Sequence, residues 1–367
     1  MEGGKAIFEY KGFNEIYYRS GGDVEELYEK GYVERVPSGE YVMPSVTAVH
    51  LLEQDKIAVK QDNREVTALE ILEDSVRASP DNILRYFVFK DLRTKGRLAK
   101  VELNTPFIRL YPRGGRVGET PATTLIYCIS EDKPVRQSEI LEKIKYAQVA
   151  RKSLVFAVID DEMNISYYAA EEFQPRKIRE VDLSFPEVEG IVMHDRVIVW
   201  DHKAGNAIYK AGFWGHFIGI AKPKHGQYYE RPLQLSLTEA CYLAEKGKIK
   251  LYKAGTHTVI GVKEIIDLHA RSRVKGAEKI AAYTYWRDKG YIVKPASKYG
   301  VDFMFYELGP GIDHGPYMCL VSTPDEMILP VELIRAGRIA TSVRKTFVVT
   351  VVDGDRVVNY KFSWRKL

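Results

Sequence analysis

SVRKTFVVTVVD, residues 342–353, repeats VARKSLVFAVID, residues 149–160, at an offset of 193. Arg344 and Lys345 fall on Arg151 and Lys152, and each pair opens a β-branched run that closes on an aspartate. Such a run, short and flanked by charge, predicts a buried strand. Asp353-Gly354 before a second β-branched run predicts a tight hairpin there. The match continues outward at nearly the same offset. Asn14-Glu-Ile-Tyr-Tyr and Asn206-Ala-Ile-Tyr-Lys lie 192 positions apart. SVTAVHLLEQDKIAV (45–59) and LTEACYLAEKGKIKL (237–251) share Ala48/Ala240, Leu51/Leu243, Glu53/Glu245, Lys56/Lys248 and Ile57/Ile249. Three separated matches mean a duplicated unit of about 190 residues; two units so long are not a solenoid.

The predicted fold class is α+β (mixed α/β) in two tandem repeats, each a small α/β subdomain followed by a mixed-sheet subdomain. The expected division is 1–75 and 76–170 for the first repeat, 171–190 as a linker rich in charge, and 191–264 and 265–367 for the second. Within the last part, the pattern predicts one helix from Ile265 to Arg287, ended at Lys289-Gly290. Strands YIVKP, VDFMFYEL and YMCLVS follow, then a short helix VELIRAGRIA and strands TFVVTVV and RVVNYKFSW.

The chain has 367 residues, 45% hydrophobic and 28% charged, which suits two or more ordinary globular domains and excludes disordered and collagen-like classes. No apolar stretch reaches the length of a membrane span, and the start lacks the order of a signal peptide, so a soluble, cytoplasmic protein with no membrane partner is expected. Cys128, Cys241 and Cys319 are dispersed among apolar residues and read as buried thiols. A net charge of +4 is modest, but from Arg335 onward eight basic residues face two acidic ones, a clustering that suits phosphate contacts.

KYGVDFMFYELGPGIDHGPYMCLV (298–321) puts Tyr306 at a strand end and His314 on a Gly/Pro-rich loop, with Lys345 opening a later strand. This order closely resembles the archaeal tRNA-splicing (tRNA-intron) endonucleases, in the form with two fused units per chain. LQLSLTEACYLAEKGKIKLY (233–252) and GFWG (212–215) resemble the same family's N-terminal subdomain. The resemblance implies cleavage of precursor tRNA at bulge-helix-bulge junctions, with no cofactor and no DNA substrate. It makes Tyr306 the general base for the 2′-hydroxyl, His314 the acid for the leaving oxygen and Lys345 the electrostatic stabiliser. A tyrosine base is demanding, because phenol ordinarily ionises near pH 10; Lys345 is expected to lower that value. Taken singly, each of the three has a simpler explanation in packing or solvation.

The first repeat keeps Lys152 and, with a small gap, Tyr111, but its loop RGGRVGETPATT (113–124) has no histidine. It is expected to be an inactive pseudo-subunit. The resemblance further implies a homodimer joined by acidic loops, here Asp160, Asp161 and Glu162 in one repeat and Asp353 and Asp355 in the other. It also implies a bulged base held between Arg338 and either Trp364 or Arg365. A metal site is not expected: His194, His202, His216 and His225 lack ligand spacing. Two other classes compete. A metal-dependent restriction-type nuclease would use Asp302 and Glu307; a non-catalytic RNA-binding subunit would need another chain.

Overall fold

Thr346–Asp353 is buried along nearly its whole length, as its β-branched run requires. It runs parallel to Tyr317–Ser322 and antiparallel to Arg356–Trp364 in the computed structural model, which describes residues 5–272 and 274–367. The first repeat has the same arrangement: Ser153–Ile159 lies parallel to Thr124–Ser130 and antiparallel to Ile165–Glu172. Parallel neighbours need a crossover, supplied by helices Gln137–Val149 and Pro330–Ser342. Two further antiparallel strands complete each half: Ala99–Val101 with Phe107–Leu110, and Ile292–Pro295 with Phe303–Tyr306.

The halves are joined edge to edge. Ile165–Glu172 pairs antiparallel with Arg356–Trp364, fusing both subdomains into one ten-stranded sheet. A second ribbon pairs Val135 with Ile328, equivalent positions at the 193-residue offset, so the repeats are related by a local two-fold. Apolar packing seals this joint. Tyr168 stacks on Phe362 with ring centroids 5.0 Å apart, and the buried Tyr360 hydroxyl donates to Gln137 Oε1 (2.8 Å). One core cluster therefore crosses from repeat to repeat.

Each repeat also carries a six-stranded sheet of the same order, built around Ala6–Gly12 in the first and Val188–Val192 in the second. The aligned segments become helices Ser45–Glu53 and Leu237–Glu245, and the second is started by a Ser236–Glu239 capping box. The three cysteines are free and buried, as expected. No helix among the described residues is long and apolar enough to cross a membrane.

The helix expected from Ile265 to Arg287 is two helices, Val262–Ser272 and Gly276–Asp288; residue 273, inside that expected span, lies outside the described residues. Lys275 turns the chain with φ +57°, and a Cβ on Gly276 would stand 2.4 Å from the His269 carbonyl oxygen. Only glycine permits so close an approach. The 171–190 segment is mostly exposed but is anchored at several points. Phe185 is buried, and Ile178 N–H donates to the Lys289 carbonyl (2.9 Å) while Arg179 Nε donates to that of Gly290 (3.0 Å).

Candidate active site

Tyr306 ends strand Phe303–Tyr306, and its neighbour fixes which way it faces. Phe305 is fully buried and stacked on Trp286 at 3.9 Å, so the alternation of the strand turns Tyr306 to the opposite side. Lys345 follows Arg344, whose φ of +55° ends helix Pro330–Ser342 and swings the chain into the next strand. Thr346 N–H then donates to the Pro316 carbonyl (2.8 Å), tying the start of that strand to the end of the histidine loop.

Gly315, the residue after His314, is where Tyr306 and Lys345 meet. Lys345 Nζ donates to its carbonyl at 2.6 Å. A Cβ there would lie 3.0 Å from Tyr306 Cε1, so the phenol ring rests directly on this residue. His314, the next residue back, is exposed, whereas Tyr306 and Lys345 are half-buried. Burial pushes the Tyr306 phenol above its ordinary value, helped by the neighbouring Tyr299 and by the Asp313 carboxylate. The shift is upward, and Lys345 is not among its causes, so the free protein gives no sign of the lowering expected from that cation. Desolvation also holds the Lys345 ammonium below the usual lysine range, against the opposing pull of Tyr299 and Asp313.

The first repeat shows the same frame without a histidine in its loop. Lys152 Nζ donates to the Ala122 carbonyl at 2.8 Å, and Ser153 N–H donates to that of Thr123 at 3.0 Å, the counterparts of the Lys345 and Thr346 bonds. Pro121 therefore occupies the place of His314. Strand pairing makes Tyr111 the counterpart of Tyr306: Leu110 pairs with Thr124 as Phe305 pairs with Tyr317, and each tyrosine comes one residue later. Tyr111 is only 5% exposed and packs with Val117 and Ala122.

This frame, present twice, coincides with two matches to the tRNA intron endonuclease catalytic C-terminal domain, over residues 82–167 and 277–360. The tRNA intron endonuclease N-terminal domain matches residues 188–261. The chain belongs to the tRNA intron endonuclease family. A tRNA-splicing endonuclease of Methanococcoides burtonii is 30% identical over 347 residues, covering 91% of this chain and 93% of that one. Those of Hyperthermus butylicus and Pyrobaculum islandicum, 37% and 39% identical, match 49% of this chain and 99% and 100% of their own lengths. One whole relative of the shorter kind thus corresponds to about half of this family member.

The remaining candidates separate into two groups. Arg338 Nε donates to the Tyr168 hydroxyl (3.1 Å), and Trp364, 55% exposed, stands opposite Tyr168 in the ladder. Directly opposed residues share a face, so Arg338 and Trp364 lie on the same side of the sheet. Arg365 instead lines a cavity of about 680 Å³ with Arg151 and Lys152, on the first repeat. Among the described residues, no hydrogen bond or ion pair joins any of the three to Tyr306, His314 or Lys345.

The acidic turns are hairpin tips. Asp160 accepts from the Glu162 and Asn164 N–H groups (3.0 and 2.8 Å) and so serves its own turn. Asp161, Glu162, Asp353 and Asp355 are exposed. The two acids that a restriction-type site requires are engaged elsewhere: Asp302 with Lys279 (2.8 Å), Glu307 with Arg176 (3.7 Å).

Two features of the site escaped the sequence. Asp313 accepts three backbone N–H groups within the histidine loop, from Glu307 (2.8 Å), Leu308 (3.2 Å) and Gly309 (3.0 Å). A cavity of about 270 Å³ lies behind that loop, lined by Arg179, Lys210, His225 and Arg287 together with Glu180 and Asp182. Arg287 is 3% exposed, stacked 3.4 Å over Trp214 of GFWG, and bonds carbonyls of Gly212 and Tyr291.

Proposed function

We propose that the chain cuts precursor tRNA at both exon–intron junctions by transesterification, using Tyr306, His314 and Lys345 of the second repeat. Tyr306, as phenolate, takes the proton of the 2′-hydroxyl; the 2′-oxygen attacks phosphorus, and the bond to the 5′-oxygen breaks. His314 gives that oxygen its proton, and Lys345 balances the charge that gathers on the phosphorane. The products are a 2′,3′-cyclic phosphate and a 5′-hydroxyl. The observation that carries this reading is the meeting of Tyr306 and Lys345 on Gly315, the residue after His314. The raised Tyr306 pKa keeps its phenolate scarce at neutral pH, so the base step gains with rising pH.

The working unit in this reading is a homodimer. One chain holds one histidine-bearing site, whereas releasing an intron takes two cuts. The exposed Asp161–Glu162 tip suits the Arg179, Lys210 and Arg287 side of the cavity behind the histidine loop in a second copy, and the Asp353–Asp355 tip is the equivalent turn of the other repeat. Arg338 and Trp364, on one face, are the pair we assign to holding a bulged base; an exposed indole offers it a flat surface. Arg365, on the cavity of the first repeat, is the less favoured wall. The subdomain boundaries at 75, 170, 190 and 264 and a cytoplasmic location belong to the same proposal.

The deciding experiment incubates the purified single gene product with a bulge-helix-bulge RNA in excess EDTA, with its mass in solution measured in parallel. Two cuts ending in cyclic phosphate, at the mass of a dimer, are expected. No cutting without a second protein overturns the self-sufficient enzyme, and loss of cutting in EDTA favours a metal nuclease.

A further inference from the structure

The loop between Tyr306 and His314 is short of regular structure and rich in glycine, yet it must present its histidine at a fixed place. Gly309 and Gly311 take φ values of +140° and +82°, which leaves this segment with little stiffness of its own. Three backbone N–H groups, those of Glu307, Leu308 and Gly309, point inward, and all three end on one carboxylate, Asp313. Oδ2 takes the first two and Oδ1 the third. Charge-assisted bonds of this kind are roughly twice as strong as neutral ones. The bracket therefore begins one residue after Tyr306 and closes one residue before His314. On its outer side Gly309 lies against the Phe213 ring, where a Cβ would come within 2.4 Å, so the bracket is also braced from the N-terminal subdomain.

We infer that Asp313 is a positioning residue for the cleavage reaction, the group that sets the separation of Tyr306 and His314. It acts through the loop, and it needs no contact with RNA. This inference rests on the assignment of Tyr306 and His314 as base and acid.

The test compares Asp313→Ala and Asp313→Asn with the intact protein in single-turnover cleavage of a bulge-helix-bulge RNA, with RNA affinity and thermal midpoint measured alongside. Asp313→Ala is expected to lower the cleavage rate by about 10- to 100-fold with affinity within about twofold, because misplacement by an ångström carries a cost of that order. Asp313→Asn, keeping one acceptor oxygen, should recover part of the loss. In a His314→Ala background, Asp313→Ala should cost little more, since the group it places is gone. Equal, additive losses in both backgrounds, or a rate that tracks only the thermal midpoint, overturn the positioning role. An unimpaired His314→Ala protein overturns instead the assignment of the acid, and so the two failures are told apart.

Discussion

Lys345 and Gly315 are joined by a 2.6 Å bond from ammonium to carbonyl, and Lys152 and Ala122 repeat it at 2.8 Å in the other half of the chain. The same contact thus recurs in a repeat with the histidine and in one without it, so substituting each lysine separates a structural from a proposed catalytic part. Lys152→Ala should leave cleavage within about twofold and destabilise the fold by about 1–3 kcal/mol, the range for a hydrogen bond from a charged group. Lys345→Ala should lose a similar amount of stability and, in addition, about 100-fold or more in cleavage rate, as expected when a group aimed at developing charge is removed. Melting and single-turnover cleavage of the two variants check this; equal loss of rate would dismiss the pseudo-subunit.

In the proposed mechanism Pro121 leaves the first repeat without an acid, and a second defect is expected beside it. Tyr111 is buried against Val117 and Ala122, and its phenol is pushed up by desolvation. Pro121→His in a His314→Ala protein should therefore restore no measurable cleavage. Recovery of even a few per cent of the rate would mean that Tyr111 opens on binding RNA.

The proposed mechanism uses the Lys345 ammonium in its charged form, and burial holds its pKa below the ordinary lysine value. The sign follows directly: the cation is complete at neutral pH and is lost earlier than an exposed lysine as pH rises. The Lys345 share of the intact protein's rate should fall with rising pH, against the gain from the Tyr306 base, earlier than for a lysine of the ordinary pKa near 10.4. Lys345→Arg, where active, should move that fall upward, because guanidinium stays charged. An alkaline fall unmoved by the substitution would assign it to another group.

The duplication was legible because strands Ser153–Ile159 and Thr346–Asp353 keep β-branched residues at a fixed offset, and a buried strand tolerates little else. The order of Tyr306, His314 and Lys345 was legible as a motif. The meeting of Tyr306 and Lys345 was not, since it runs through Gly315, a residue without a side chain. The counterpart of His314 was hidden for a related reason: the loops after Leu110 and Tyr306 differ in length, and only the paired Lys152 and Lys345 bonds bring Pro121 into register. The break between helices Val262–Ser272 and Gly276–Asp288 was missed because apolar spacing continues through it, with Gly276 its single cue. Asp313 was missed because an irregular loop has no period from which its N–H directions can be read.

His50 gives a prediction far from the active site. It lies 2% exposed in helix Ser45–Glu53, its Nδ1 without a hydrogen-bond partner among the described residues, its ring edge-on to Phe89 at 5.4 Å. Burial, reinforced by the nearby Arg93 guanidinium, pushes its pKa down to about 4. An unfolded chain binds the proton near pH 6.5, so between about 6.5 and 4 the unfolded state takes up a proton that the folded state refuses. The contribution of neutral His50 is thus complete above pH 6.5 and is lost as pH falls, amounting to about 2 kcal/mol at pH 5. Urea unfolding of the intact protein and of His50→Phe at pH 7 and pH 5 isolates this effect, because every other titrating group is common to both. The intact protein should lose about 2 kcal/mol more than the variant between the two pH values. Equal losses would show that His50 is protonated within the fold, its burial relieved by water at Nδ1.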